Sequence, residues 1–214
     1  MNENKKVFTH NFAGKELTIE TGRLAKQTDG AVLVSCGGTQ VLVTVCSAHQ
    51  VNERQDVFPL LVEYTEKFYA AGKFLGGFIK REGRPSNKET LNARLIDRPL
   101  RPLFPKGYMY ETVVTCTILS YDPSADPEVL AGIGSSAALT VSDIPFDGPI
   151  GTCKVGRVNG EWSINPAQDE WENSDVELLI AASKDAILMV EGEAKVVPED
   201  EVLEGLFNGH DEIK

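Results

Sequence analysis

Apolar and polar positions alternate with a period of two over residues 15–20 and 30–36, which predicts two strands. Gly37-Gly38 predicts a turn, and residues 39–46 return as the second arm of a hairpin. Residues 59–69 predict a further extended segment ending at Ala70-Ala71-Gly72. A loop follows over 73–85, where Gly76, Gly77 and Gly83 loosen the backbone. The period then changes. Ser86-x-x-Glu89 fits a capping box, Leu91 and Leu95 repeat at helical spacing, and Pro99 and Pro102 predict where that helix stops.

Residues 113–119 are rich in β-branched side chains and predict another strand. Residues 127–142 have helical composition and are apolar nearly all round, which predicts a buried helix. A strand pair is predicted over 150–158 and 160–165 around Asn159-Gly160, and two more strands over 176–182 and 186–193. An amphipathic helix is predicted from about Pro198. Val202, Leu203, Leu206 and Phe207 form its apolar side, a face with nothing yet to pack against where the sequence stops. Strand clusters with intervening helices, rather than strict alternation, predict an α+β fold. No Pro/Ser-rich linker divides the chain, so one domain is expected.

Composition narrows the class. A chain of 214 residues, 42% hydrophobic and 25% charged, can bury a sizeable core. No run approaches the roughly 20 apolar residues of a membrane span. The start, MNENKKVFTH, lacks the apolar stretch of a secretory signal. Cys36, Cys46, Cys116 and Cys153 sit in apolar runs without a C-x-x-C pair, which predicts buried, reduced thiols and a cytoplasmic protein. His10, His49 and His210 are scattered without ligand spacing, so no His-based metal site or triad is predicted.

Charge changes the picture more. The formal net charge is −11, yet Lys80, Arg81, Arg84, Lys88, Arg94, Arg98 and Arg101 crowd one segment against only Glu82, Glu89 and Asp97. That segment carries +4 and leaves −15 on the rest of the chain. A concentrated cationic stretch on an acidic body points to a specific polyanion, because binding follows the local field rather than the total.

The same segment carries a resemblance. KREGRPSNKETLNARLIDRPLRPLFP, preceded by EYTEKFYAAGKFLGGF and followed by SDIPFDGPIG, closely resembles the first RNase PH-like domain of the bacterial polynucleotide phosphorylase family. The similarity runs from about Asn11 to the C-terminus. It implies an RNase PH-type fold of mixed sheets packed with helices around a ribosomal-protein-like βαβ core. Residues 1–205 are then expected to form the first RNase PH-like domain, with 206–214 starting a helical linker. The implied activity is 3′-to-5′ phosphorolysis of RNA to nucleoside diphosphates in mRNA degradation, with inorganic phosphate as co-substrate. The resemblance further implies Mg²⁺ or Mn²⁺ for the full-length enzyme, a homotrimeric ring around single-stranded RNA, and possible partners in RNA degradation. No membrane association is expected.

In this family the loop before the capped helix constricts the RNA entrance with two aromatics followed by two arginines. Here the motif reads Phe78-Ile79-Lys80-Arg81. Phe78 can stack on a base, while Lys80 and Arg81 can neutralise phosphates. Ile79 cannot stack and Lys80 lacks the arginine fork, so a weaker grip is expected. Arg84, Arg94, Arg98 and Arg101 complete the expected RNA-binding set. Arg94 and Arg98 share one helical face and repel unless an anion or carboxylate lies between them, so ties to the domain or to a neighbouring subunit remain open for them.

No catalytic residue is assigned to this chain. Gly134-Ser135-Ser136 sits mid-helix, where amide N–H groups are already used, and is expected to serve packing. At the helix N-terminal turn, Asp126 and Glu128 complement the dipole and repel phosphate, and Pro127 removes a donor. That turn matches the family's phosphate-binding turn, so this domain is expected to lack the phosphorolytic centre and to bind no metal. Two alternatives stand beside this reading. One is a self-contained exonuclease using Asp169 and Asp175, six residues apart before a strand. The other is a ring-assembly module whose basic stretch is an interface.

Overall fold

Valine- and isoleucine-rich strands of the first 120 residues pair into a six-stranded sheet. In the computed structural model, which describes residues 4–52, 55–78 and 80–214, the strands are β1 (Lys6–Phe12), β2 (Lys15–Thr21), β3 (Gly30–Cys36), β4 (Thr39–Ser47), β5 (Leu60–Glu66) and β6 (Thr112–Ser120). They lie in the order β1-β2-β3-β4-β6-β5. Every pairing is antiparallel except β5 with β6, which are parallel. Parallel neighbours need a crossover, and helix α1 (Asn87–Leu100) supplies it, giving a βαβ unit. A second sheet orders β10-β9-β7-β8, from β7 (Gly151–Val158), β8 (Glu161–Ile164), β9 (Ser174–Ala182) and β10 (Ile187–Ala194).

Helix α2 (Pro127–Val141) is the shared core of both sheets, and its composition shows why. A Cβ added at Gly134 would lie 2.6 Å from Val43 Cγ2 and 3.0 Å from Val34 Cγ2, on the first sheet. One added at Gly132 would lie 2.5 Å from Thr152 Oγ1, on the second. The two glycines let one helix approach a sheet on each side. Val32, Val34, Val41, Val43, Val45 and Val114 close the core from the first sheet, and Val155, Val176 and Ile180 from the second.

Several sequence expectations are amended. Strand β1 has only Phe12 buried, so it has no core-facing alternation to read. The extended segment expected over 59–69 is strand only to Glu66, then a 3-10 turn over Phe68–Ala71 capped by left-handed Gly72. Pro99 lies inside the last turn of α1 rather than ending it, and Arg101–Leu103 continues as a 3-10 turn. Cys46 is exposed, unlike the other three free thiols. Helix α3 (Glu199–Ile213) does pack, on β7, β8 and β9. Gly205 rests on Trp162 and Gly209 on Ile180 and Val155, while Leu203 and Phe207 remain exposed. This helix runs unbroken across residue 206. Among the described residues no helix is long and apolar enough to cross a membrane.

Candidate nucleic-acid interface

The cationic loop is held at its stem by one carboxylate. Glu89 Oε2 accepts from the Ser86 N–H at 2.6 Å, and Ser86 Oγ returns the bond to the Glu89 N–H at 3.2 Å, the reciprocal capping box. Glu89 Oε1 accepts from the Glu66 N–H at 2.8 Å, so one side chain ties the end of β5 to the start of α1. Partial burial opposes ionisation of Glu89, but the amides of Ser86 and Glu66 outweigh it and hold its carboxyl below the ordinary value of 4.5. Lys67 pairs with Glu82 at 2.5 Å and Lys88 with Glu66 at 2.9 Å. The Tyr121 N–H donates to the Ala70 carbonyl at 3.0 Å, pinning the 3-10 turn to the end of β6.

Above this stem the expected residues separate into two groups. Phe78 is fully exposed, and Lys80 stands at a positive φ of 50°. Lys80, Arg81, Arg84 and Arg94 are exposed and make no ion pair among the described residues. Arg98 pairs with Glu191 of β10. Arg101 donates to Asp97 Oδ2 at 3.1 Å and Oδ1 at 2.7 Å, and to the carbonyls of Phe58 at 2.9 Å and Leu60 at 3.1 Å. Its guanidinium also lies 5.6 Å from the Phe58 ring centroid. Every guanidinium nitrogen of Arg101 is thus engaged in fastening α1 to the segment that leads into β5, unlike the loop cations. Ile79 lies outside the described residues.

The α2 N-terminal turn is built in the opposite way. Asp126 caps the helix by accepting from the Glu128 N–H at 2.9 Å. Lys154 of β7 then reaches Asp126 at 2.7 Å and Glu128 at 2.9 Å, with Glu177 at 3.8 Å and the Trp171 ring at 6.0 Å. Burial pulls the Lys154 pKa down, but the carboxylates of Asp126 and Glu128 outweigh it and raise it above 10.5. These side chains line a cleft of about 360 Å³ together with Lys88 and Tyr121. An anion placed there would meet the carboxylates of Asp126, Glu128 and Glu177 and two lysines that are already paired. Lys154 was not anticipated, because its partners lie 23 to 28 residues away in sequence and no local spacing marks them.

Asp175 is committed to an arginine. Both Asp175 oxygens are held by the Arg157 fork, at 2.8 and 2.5 Å, and Arg157 also pairs with Glu201 of α3. The hydrogen bonds from Arg157 hold the Asp175 carboxyl below its ordinary value. Asp169 is exposed at the start of a 3-10 turn. Ser135 donates to the Ala131 carbonyl at 2.7 Å, and Ser136 accepts from the Ile150 N–H at 2.8 Å, both as packing residues inside the core.

The two-sheet arrangement with a shared central helix defines an RNase PH-type domain. The fold is shared with the crystal structure of rice (Oryza sativa) Rrp46, at a TM-score of 0.68 and 13% identity, covering 99% of this chain and 91% of that one. Residues 13–145 match the 3′ exoribonuclease family, domain 1, and residues 148–212 match domain 2 of the same family. The chain belongs to the 3′ exoribonuclease family. It is 55% identical over 203 residues to the polyribonucleotide nucleotidyltransferase of Geotalea uraniireducens, covering 95% of this chain and 29% of that protein. It is also 55% identical over all 214 residues to that of Staphylococcus saprophyticus, covering 31% of it. The chain thus spans less than a third of the length of the curated relatives it matches.

Proposed function

We propose that this chain is the RNA-guiding domain of a polyribonucleotide nucleotidyltransferase. The whole enzyme degrades RNA from the 3′ end with inorganic phosphate, and this domain feeds single-stranded RNA to a phosphorolytic centre in a second domain. One observation carries the reading. Lys80, Arg81 and Arg84 stand exposed and unpaired among the described residues, on a loop whose stem is fixed, although the chain has an excess of acids available to pair them. Leaving several cations adjacent and unneutralised costs repulsion, which a polyphosphate chain relieves. Arg94 extends the same set along α1.

The acid-lined turn at Asp126 and Glu128, which stays net negative although Lys154 pairs with both, favours a domain without its own phosphate site. The Mg²⁺ or Mn²⁺ expected of the whole enzyme does not fit Asp175, whose oxygens are bound to Arg157. This disfavours a self-contained exonuclease built on Asp169 and Asp175. The trimeric ring, the role in mRNA degradation and the cytoplasmic location belong to the same proposal.

The test is oligo(A) binding across a salt series. If six loop charges of a ring contact phosphates, log K falls with log salt at a slope near −4, from about 0.7 per phosphate on single strands. Replacing Lys80, Arg81 and Arg84 with alanine lowers both affinity and slope. Unchanged affinity together with altered oligomerisation would establish the ring-assembly reading instead. Release of ADP from oligo(A) by the 214-residue chain plus phosphate would overturn the assignment of chemistry to another domain.

A further inference from the structure

We propose that Phe74 is a second base-stacking side chain for single-stranded RNA, acting with Phe78; this rests on the RNA-guiding reading above. Phe74 is 96% exposed and Phe78 103%, the two most exposed aromatics of the described residues. Rings this bare add nothing to the domain's own core and are open to a ligand. The rings flank Gly76-Gly77, where Gly77 turns the chain at φ +81°. Three residues separate them, so their Cα atoms lie at most about 14 Å apart, within reach of one short stretch of a strand.

The neighbourhood decides what kind of partner fits. Lys73 precedes Phe74, and Lys80 and Arg81 follow Phe78, which interleaves exposed cations with exposed rings. Residues 67–84 hold Lys67, Lys73, Lys80, Arg81 and Arg84 against Glu82 alone. A polymer that is anionic along its backbone and π-faced at each unit matches both features, and single-stranded RNA is such a polymer. A purely apolar protein partner would leave the cations unanswered.

Phe74 is also presented from a fixed point. The Gly72 and Lys73 N–H groups donate to the Tyr69 and Phe68 carbonyls, each at 3.0 Å, and the Ala70 carbonyl accepts from the Tyr121 N–H at 3.0 Å. Phe74 therefore leaves an anchored turn. A ring whose backbone is already held at its N-terminal side has less to order on binding.

The test measures oligo(A) affinity over a salt series for the 214-residue chain and for Phe74→Ala, Phe74→Leu, Phe74→Trp and the double variant Lys80→Ala/Arg81→Ala. Stacking is largely insensitive to salt, so Phe74→Ala is expected to weaken binding about ten-fold while leaving the slope of log K against log salt unchanged. Phe74→Trp should restore affinity and add fluorescence that the oligonucleotide quenches, beyond that of Trp162 and Trp171; Phe74→Leu should not restore it. The double variant should instead reduce the slope by about 1.4. If Phe74→Ala binds as tightly as wild type while the double variant loses affinity, the stacking role falls and the RNA reading stands. If neither changes, the RNA reading fails as well. A changed slope in Phe74→Ala would make the ring a shaper of the loop, and changed sedimentation with intact affinity would make it a contact between copies; either result overturns the proposal.

Discussion

Two regions of this molecule use the same residue types in opposite ways. At the α2 N-terminal turn, Lys154 pairs with both Asp126 and Glu128 within 2.9 Å, inside a cleft, leaving the three together at −1. On the loop before α1, Lys80, Arg81 and Arg84 face solvent with no ion pair among the described residues, although the chain carries eleven more acids than bases. The difference teaches that a charge becomes available to a ligand only where the fold leaves it unanswered. Lys154 and Arg157 hold sheets and helices together, while the loop cations contribute little to folding and remain free for a polyanion.

The sharpest way to break this comparison is Lys154→Met. Removing one partner of a partly buried cluster leaves Asp126 and Glu128 uncompensated, so denaturant unfolding should show a loss of about 1–3 kcal/mol, with oligonucleotide affinity unchanged. The pH dependence follows from the raised Lys154 pKa. Its contribution is complete below the ordinary lysine value of 10.5 and is lost as pH climbs through the higher folded value. On the alkaline side, wild-type and variant stabilities should therefore converge only once the pH is well above 10.5.

Gly134→Ala probes the core between the two regions. The added methyl would meet Val43 and Val34, and overpacking should cost about 1–3 kcal/mol, read as a lower melting temperature. Glu89→Ala should cost about 1–2 kcal/mol through the lost capping box and stem bond, and should also weaken RNA binding by releasing the loop. Because the Glu89 pKa is lowered, its contribution is present above 4.5 and disappears as pH falls through the folded value, so the two proteins should become equally stable in acid. Smallest in stability is the triple variant Lys80→Ala/Arg81→Ala/Arg84→Ala, within about 0.5 kcal/mol of wild type, while its salt slope drops by about 2 for each chain that contacts the RNA. A large stability loss in that variant would erase the contrast between the two regions.

Much of this contrast was legible in the sequence, for local reasons. The hairpin at Gly37-Gly38, the capping box at Ser86 and Glu89, and the apolar helix from Pro127 all announce themselves within a few residues, because turns, caps and buried helices are local devices. The acidic turn at Asp126 and Glu128 was legible for the same reason. The answering Lys154 was not, since it arrives from a strand of the other sheet. Arg101 illustrates the same gap: its position in a basic run suggests RNA, yet its donors go to Asp97 and to the carbonyls of Phe58 and Leu60, about 40 residues upstream. Edge strand β1 escaped because a strand exposed on both faces imposes no alternation. The resemblance in the basic segment identified the family, but which of its cations are free emerged only once the acids were placed in space.

The most direct measurement is photocrosslinking of 4-thiouridine-containing single-stranded RNA to the 214-residue chain, with the attached peptides mapped by mass spectrometry. Attachment concentrated within residues 67–84 is expected, at Phe74, Phe78 and their flanking cations, with none at the turn around Asp126 and Glu128. Attachment confined to the Asp126–Lys154 cleft, with the loop unmodified, would contradict the division between a free cationic loop and an acidic turn whose lysine is already paired.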